Sequence, residues 1–332
     1  MATWRRITGA AGLAAGAVAA GAGALVAAER IAIGRVQVLR RTAPPENLGE
    51  LRGRPLTVLA DDGVPLHVEI DEPDPPVGAP RRRGRRRPEP LTLIFCHGYT
   101  LNQDCWHFQR AAFRGHRMVF WDQRDHGRSG RSPGGSTASI DQLGEDLARV
   151  LAAAAPGDGP VVLVGHSMGG MTIMALARLH PGLFGTKVVG VALISTTASG
   201  LDAGSPWMPG LARPVLRRAL PVVLRGAATG YRAMLVEHGR RMASDVSFLS
   251  TRFIGFGDPG VNPVLVDFLE QMIRSTPIEV VAAFGEALYA VDLRDALETV
   301  GRVPVVVLTG DKDRLISPSL GLDLASGIAG AE

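Results

Sequence analysis

A short strand pattern that turns directly into a helix pattern around a serine constrains this chain more than any other feature. Residues 161–164 are all apolar, and the sequence Gly-His-Ser-Met-Gly follows at residues 165–169. A residue on so sharp a turn has strained backbone angles, and side chains two positions to either side would collide with the incoming strand and the outgoing helix. Gly165 and Gly169 remove those side chains, so the pattern predicts that Ser167 is a nucleophile at the tip of the turn.

The same turn supplies a group that stabilises negative charge. The backbone N–H of Met168 points towards the space beside the Ser167 hydroxyl, where an oxyanion forms in acyl transfer. An ordinary strand-to-helix turn is the alternative interpretation, because a chain with 41 glycines contains such a motif by chance. The apolar strand before the motif and the apolar helical face after it favour the nucleophile.

Length and charge limit the class of protein. The chain has 332 residues, of which 46% are hydrophobic, so it can bury the core of one large α/β domain with an insertion. Its formal net charge is +4, but residues 81–87 alone contain six arginines, with no aromatic residue between them. The body of the protein is therefore not a basic surface, and no nucleic-acid partner is predicted.

The order of strand and helix patterns predicts an α/β fold. Residues 55–60 and 65–70 form a predicted hairpin around an Asp-Asp-Gly turn. The predicted buried strands after it are residues 91–96, 118–121, 161–164, 188–194 and 303–309. Helix patterns alternate with these strands, which indicates a mostly parallel sheet with helices on both faces. Residues 71–90, rich in proline and arginine, are predicted to be a disordered loop.

The pattern changes between residues 199 and 276, where prolines and aromatic residues stand among short amphipathic stretches without a buried strand. We expect residues 199–276 to be a helical lid inserted after the sixth core strand. The α/β core is then divided into a first part, residues 50–198, and a second part, residues 277–332. In the first part Ser139 and Gln142 have the spacing of a capping box, which predicts the start of a helix.

The amino-terminal segment is hydrophobic. Residues 7–28 carry no charge and follow two arginines, and they are long enough for a spanning helix of about 20 residues. Residues 26–28, Val-Ala-Ala, are also typical of a signal-cleavage site. Residues 1–35 are therefore predicted to be an anchor or signal segment, which makes the protein membrane-anchored or exported, with its orientation left open by arginines on both sides. An alanine-rich helix packed on the protein is the third interpretation.

The two cysteines indicate no special chemistry. Cys96 and Cys105 are too few for a disulfide framework and lack the C-x-x-C spacing of a metal site. Cys96 ends a predicted strand and is expected to be a small buried residue. No metal ion and no cofactor are predicted.

Four motifs together resemble those of a known enzyme family. They are His97-Gly98 at the end of a strand, residues 122–129, the serine turn, and residues 310–318. On these motifs residues 50–332 resemble the α/β-hydrolase superfamily, in its lid-containing esterase or haloperoxidase-like type. The resemblance implies the α/β-hydrolase fold, and it implies that Asp313, rather than Asp311, is the acid of a catalytic triad.

The resemblance assigns the other residues of the site. Ser167 is the nucleophile, and the backbone N–H groups of Met168 and Tyr99 are the oxyanion donors. The structural turns that hold them contain Gly165, Gly169, His97 and Gly98. In the second motif Asp125 stands where the family has a glycine, so this turn is expected to be altered locally. His126 is expected to be structural.

The triad histidine is the part that this chain lacks. In the resembled family it follows the acid, in a loop after an eighth strand, whereas all eight histidines here precede Asp313. They are His67, His97, His107, His116, His126, His166, His180 and His238. A general base contributes about 10² to 10⁴ in rate, so we expect an impaired enzyme, truncated before its last strand, the histidine and the final helix. We also expect residues 303–308 to expose an apolar edge that promotes aggregation.

A serine at the turn predicts hydrolysis of an ester or a similar acyl bond in a small-molecule substrate. Epoxide hydrolases and dehalogenases use a carboxylate at that position, so the serine argues against them. Cofactor-free haloperoxidase-like, C–C bond hydrolase and peptidase activities stay open as alternatives within the fold. An alternative of another class is a non-catalytic, membrane-tethered binding protein that kept the pocket and lost the histidine.

Overall fold

The computed structural model of the chain describes residues 47–73, 91–133, 138–155, 157–199, 244–258 and 260–332. Its strands are β1 (Arg54–Leu59), β2 (Pro65–Asp71), β3 (Thr92–Cys96), β4 (Arg117–Trp121), β5 (Val161–His166), β6 (Val188–Ile194) and β7 (Val305–Leu308). Its helices are α1 (His107–Ala112), α2 (Ile140–Ala154), α3 (Met168–Leu179), α4 (Ser244–Gly255), α5 (Pro263–Ser275), α6 (Ile278–Ala290), α7 (Leu297–Val300) and α8 (Pro318–Ser326).

The seven strands form one sheet in the order β1-β2-β4-β3-β5-β6-β7. The first two strands are the predicted antiparallel hairpin, and β2 also pairs antiparallel with β4. Every pairing from β4 to β7 is parallel. The tight turn of the hairpin depends on Gly63, which has a φ of 83° and donates its N–H to Ala60 O at 2.9 Å. The predicted α/β architecture is therefore confirmed.

Helices α2 and α3 cover one face of the sheet and pack closely against each other. A Cβ at Gly144 would lie 2.9 Å from Ala175, so the contact needs glycine on α2. Ser139 caps α2 as predicted, because its hydroxyl accepts the N–H of Gln142 at 3.4 Å. The Gln142 side chain bonds to Asp146 at 3.3 Å, so only half of the predicted capping box forms.

A separate aromatic cluster lies at the other face, beside β3 and β4. The rings of Phe95 and Phe120 stack with centroids 4.7 Å apart, and Trp106 packs against Phe95 at 5.2 Å. Trp106 ends the short helical turn Gln103–Trp106 just before α1. The contact between Trp106 and Phe95 therefore holds α1 and the turn before it against the carboxyl end of β3.

The long insertion begins after β6 and its two ends lie side by side. Ser199 forms an antiparallel bridge with Asp292, and Leu293 donates its N–H to Ala198 O at 2.7 Å. Within the predicted lid, α4 and α5 are the described part, and residues 200–243 lie outside the described residues. In the chain after residue 276, α6 buries Phe284 in the main core.

Strand β7 is shorter than predicted and covers residues 305–308 of the expected 303–309. Val306 and Leu308 are 40% and 51% exposed, so this end of the sheet presents apolar side chains. The expected open edge is partly paired, because Val307 donates to Glu332 O at 2.8 Å and Glu332 donates to Val305 O at 3.0 Å. These two bonds have the spacing of a parallel ladder.

Several predicted segments lie outside the described residues. They are the anchor or signal segment within residues 1–35 and most of the predicted loop at 71–90, of which only residues 71–73 are described. Among the helices of the described ranges, none combines the length and the apolar character needed to cross a bilayer.

A buried carboxylate on β2 organises the charged side chains at that edge of the core. Glu69 is 2% exposed and accepts hydrogen bonds from Arg110 at 2.7 Å, from Arg128 at 2.7 Å and from the Gly53 N–H at 2.9 Å. Burial alone would raise the pKa of Glu69. The hydrogen bonds from His67, Gly53 and Arg110 outweigh burial and lower that pKa to about 2.

We predict that Glu69 contributes acid-sensitive stability. Because its pKa falls from the ordinary 4.5 to about 2 on folding, the contribution is complete above about pH 4.5 and is lost as the pH falls towards 2. The shift corresponds to about 3 kcal/mol. Urea unfolding from pH 7 to pH 2 should show Glu69→Gln less stable at pH 7, with a shallower acid loss than wild type. The exposed control Glu298→Gln should follow the wild-type curve, and parallel curves for Glu69→Gln and wild type would contradict the prediction.

Candidate active site

Ser167 lies at the tip of the turn between β5 and α3, where the sequence predicts it. Its φ of 51° and ψ of −117° are strained for a residue with a side chain. Two hydrogen bonds from β6 and the loop after it hold this conformation. The Ser167 N–H donates to Ile194 O at 2.9 Å, and the Thr196 hydroxyl donates to Ser167 O at 2.7 Å. The half-buried serine is therefore fixed from both sides of its own backbone.

The two predicted glycines are required by close backbone contacts. A Cβ at Gly165 would lie 2.6 Å from Gly169 O, and a Cβ at Gly169 would lie 2.1 Å from Cys96 O. A third glycine, which the motif does not include, has the same role, because a Cβ at Gly170 would lie 2.6 Å from the Thr196 side chain. The first turn of α3 consequently rests directly on the end of β3.

Both predicted oxyanion donors come from segments at this end of the sheet. Met168 is fully buried and begins α3, where the first backbone N–H groups have no acceptor within the helix. Tyr99 lies in a turn that closes with a hydrogen bond from the Leu101 N–H to Gly98 O at 3.1 Å. The Tyr99 hydroxyl also donates to Val281 O of α6, which ties this turn to the helix above it.

His97 is held as a neutral ring. Its Nδ1 is 2.8 Å from Gly98 O and must donate, since a carbonyl only accepts, while its Nε2 accepts the Gln123 N–H at 2.9 Å. Burial, together with the neighbouring His126 and His166, lowers the pKa of His97 to about 3. Both ring nitrogens are therefore engaged, and His97 is a structural residue, as the sequence predicts.

The turn that follows β4 is built around Asp122. Its buried carboxylate accepts the Gln103 N–H at 2.7 Å and the Arg128 N–H at 2.9 Å. Asp125 has a left-handed conformation, with a φ of 67°, and its carboxylate accepts both the N–H and the hydroxyl of Ser132 at 2.7 Å. These hydrogen bonds hold the Asp125 side chain in the turn.

His126 is buried in the same turn and is also held neutral. Its Nδ1 donates to Arg124 O at 2.9 Å, and its Nε2 is buried without a partner among the described residues. Burial lowers the pKa of His126 to about 4. Its ring packs between those of His97 and Phe284, with centroids 5.5 and 5.1 Å away. This packing supports the structural role predicted for His126.

Asp313 lies in the turn after β7, and its carboxylate is oriented by the backbone. One oxygen accepts the N–H groups of Leu315 at 2.8 Å and Ile316 at 2.9 Å. The neighbouring Asp311 is exposed. Burial lowers the pKa of His166, and the charge of Asp313 opposes that shift. Because β5, β6 and β7 are parallel, the turns that follow β5 and β7 lie at the same end of the sheet, so Asp313 and Ser167 share that end.

In the described part of the chain, no histidine ring is hydrogen-bonded to the Ser167 hydroxyl. His97 and His126 are engaged as above, and His166 is half-buried with its ring edge-on to Trp106 at 6.5 Å. Of the other described histidines, His67 lies on β2 and His180 follows α3. His107 begins α1, and His116 lies after its end. His238 lies outside the described residues.

Three residues of the site were missed by the sequence analysis. Gln123, Thr172 and Thr196 are all buried and all bond to segments that carry predicted site residues. Gln123 stands inside a recognised motif, but at a variable position. The sequence around such polar residues does not predict their hydrogen bonds, because their partners are distant in the chain.

The fold and the serine turn together define an enzyme of the α/β class that presents a serine at the carboxyl end of a parallel sheet. Residues 93–330 match the model of the alpha/beta hydrolase family. The chain therefore belongs to the alpha/beta hydrolase family.

Similar proteins include two with haloperoxidase names and one lactonase. A non-heme haloperoxidase from Rhodococcus erythropolis is 28% identical, and a non-heme chloroperoxidase from Streptomyces lividans is 29% identical. In each case the match covers 68% of this chain and 75% of the relative. The crystal structure of the enol-lactonase from Burkholderia xenovorans LB400 has a TM-score of 0.59 at 25% identity, over 83% of this chain and 89% of that one. The chain is similar to hydrolases that carry several different activity names.

The contact between α3 and β3 gives a prediction about the serine turn. Gly169→Ala should lower stability by about 1 to 3 kcal/mol, because its Cβ would meet the Cys96 carbonyl and force α3 away from β3. The matched control is Gly182→Ala, where a Cβ meets nothing within 4 Å, so a change within about 0.5 kcal/mol is expected. Urea unfolding measures both. Equal free energies of unfolding for the two variants would show that the contact between α3 and β3 at Gly169 does not limit stability.

Proposed function

We propose that this protein is a serine hydrolase that cleaves an ester or a similar acyl bond through a covalent acyl-enzyme on Ser167. The observation that carries the proposal is the strained backbone of Ser167, whose φ of 51° presents a serine at a strand end beside the start of α3. A strained residue of this kind persists only where the surrounding structure holds it, and such residues cluster at active sites.

The chemistry assigns a role to each predicted residue. The Ser167 oxygen attacks the acyl carbon, and the carbonyl electron pair moves onto oxygen, where the N–H groups of Met168 and Tyr99 stabilise it. The alcohol leaves with a proton, and water then releases the acid. In the resembled family the acid orients a histidine that acts as base, and Asp313 is proposed to take the position of that acid. None of the described histidines bonds to Ser167, and we propose that the reaction is slow where no such base is present.

The comparisons support an ester substrate at the level of class. A lactone is a cyclic ester, and the enol-lactonase is similar over most of both chains. The helical lid over residues 199–276 is a further part of the proposal, supported by the helices α4 and α5 at its described end. These helices, and the link from Tyr99 to α6, offer a cover for a small acyl compound.

A haloperoxidase-like reaction is the second candidate, favoured by the two curated relatives with such names. Hydrogen peroxide would replace water at the acyl-enzyme on Ser167, releasing a peracid and the free serine. The peracid would then oxidise bromide to hypobromous acid and return to the carboxylic acid. Bromination that needs acetate, peroxide and Ser167 together would favour this reaction over hydrolysis alone.

Ser167 gives the decisive prediction. A fluorophosphonate probe should label the wild-type chain and the exposed control Ser326→Ala, but not Ser167→Ala. Hydrolysis of p-nitrophenyl acetate should be slow. Added imidazole should restore part of the rate enhancement of about 10²- to 10⁴-fold that a positioned base supplies. The Ser167→Ala rate with imidazole is the background to subtract. Labelling that survives in Ser167→Ala overturns the nucleophile. An absence of wild-type labelling even in the presence of imidazole favours a non-catalytic binding protein.

We also propose that residues 7–28 attach the protein to a membrane, as an anchor or during export. The uncharged sequence supports the proposal, and these residues lie outside the described part of the chain. The intact chain should sediment with membranes after cell breakage, resist washing with 1 M salt, which screens electrostatic binding, and be released by detergent. Deletion of residues 7–28 should leave the protein in the supernatant. An intact, unprocessed chain in the supernatant would contradict the proposal.

A further inference from the structure

Gln123 connects the two segments that carry the predicted oxyanion donors. It follows β4, has no exposed surface, and makes four hydrogen bonds, of which one, from the His126 N–H to Gln123 O at 3.0 Å, lies within its own turn. Its backbone N–H donates to His97 Nε2 at 2.9 Å, and its side-chain amide donates to His97 O at 2.6 Å. Its side-chain oxygen accepts the hydroxyl of Thr172 at 2.6 Å. One residue thus bonds both to the end of β3 and to α3.

The chemistry of the partners fixes the orientation of the amide. A backbone carbonyl accepts only, so the nitrogen of the Gln123 side chain must face His97 O. The oxygen is then left for the Thr172 hydroxyl, which also lies 3.0 Å from Met168 O one helical turn back. Since a hydroxyl has one proton, and its distance to Gln123 is the shorter, the proton lies towards Gln123. The network is therefore directional, and both polar atoms of the Gln123 side chain have a partner.

Both ends of this connection lie next to an oxyanion donor. His97 and Gly98 begin the turn that contains Tyr99, and Thr172 stands in the turn of α3 that follows Met168. The two donors belong to different elements, so their separation depends on how β3 and α3 are held together. The glycine contact at Gly169 brings the two elements together at one point. The hydrogen bonds of Gln123 add a second connection between them, through Thr172.

We propose that Gln123 is a positioning residue that sets the spacing of the Met168 and Tyr99 backbone donors, acting through Thr172 on one side and His97 on the other. The proposal rests on the hydrolase function proposed above. A general stabilising role for a buried amide is the competing explanation. The two differ in their consequences, because misplaced oxyanion donors weaken binding of the transition state and leave substrate binding unchanged.

Variants on the Thr172 side test the connection with a matched pair. Thr172→Val removes the hydroxyl at nearly constant shape, and Thr172→Ser keeps it. Gln123→Met removes both side-chain hydrogen bonds. We expect Thr172→Val and Gln123→Met to lower kcat for p-nitrophenyl acetate, and the rate of fluorophosphonate labelling, about 10- to 100-fold. KM should stay within about twofold, and Thr172→Ser should stay within about threefold of wild type.

Two controls separate positioning from stability. Ile140→Val, in the buried face of α2, should lower stability by about 0.5 to 1.5 kcal/mol and leave the labelling rate unchanged. The double variant Gln123→Met, Thr172→Val should lose no more than the worse single variant, because both interrupt one connection. If Gln123→Met fails to fold, the Thr172 pair carries the test.

Each outcome of these measurements supports or overturns the positioning role of Gln123. A Thr172→Val rate equal to that of wild type overturns the positioning role, and so do rate losses that follow the melting temperatures of all the variants. In either case, labelling of the wild-type chain at Ser167 would still support the proposed hydrolase function. If the wild-type chain is not labelled at Ser167, the proposed function fails and the inference fails with it. Selective loss of kcat in Thr172→Val, restored in Thr172→Ser, supports the inference.

Discussion

The site depends on one steric constraint, the direct contact between the first turn of α3 and the carboxyl end of β3. A side chain at Gly169 would penetrate the Cys96 carbonyl, at 2.1 Å. This contact places the start of a helix beside the end of a central strand, so the segments that carry the two predicted oxyanion donors lie close together. The strained angles of Ser167 follow from it, because the chain must reverse within a single residue. Core packing of α3 and the bonds from β6 offset that strain.

Polar contacts around the turn are arranged to hold neutral groups in place. His97 and His126 both donate from Nδ1 to a backbone carbonyl, and burial lowers the pKa of each far below neutrality. Neutral imidazoles can be buried without the large cost of an unpaired charge. Gln123 and Thr172 continue the same network towards α3. The serine end of the sheet is thereby framed by neutral side chains together with the buried carboxylate of Asp122, and Asp313 lies at the same end, in the turn after β7.

Prediction from sequence succeeded where the signal is local. The hairpin turn, the apolar runs that form strands, the Ser139 cap and the serine turn each depend on residues within a few positions of one another. It failed in detail where the outcome depends on distant partners. The Gln142 side chain bonds to Asp146 instead of completing the capping box, and β7 is shorter than its apolar run. Asp125 adopts a left-handed conformation, and its partner Ser132, seven residues further along the chain, supplies hydrogen bonds that help to offset the strain.

The sequence by itself determined the alternation of strands and helices, the position of Ser167 on a turn, and the identity of the glycines at that turn. These follow from side-chain size and periodicity, which act over short distances. Only the tertiary structure decided that Gln123 joins His97 to Thr172 and that Gly170 is as constrained as its neighbours. Such relations join residues far apart in the chain, and they exist only once the parallel sheet has brought its strand ends together.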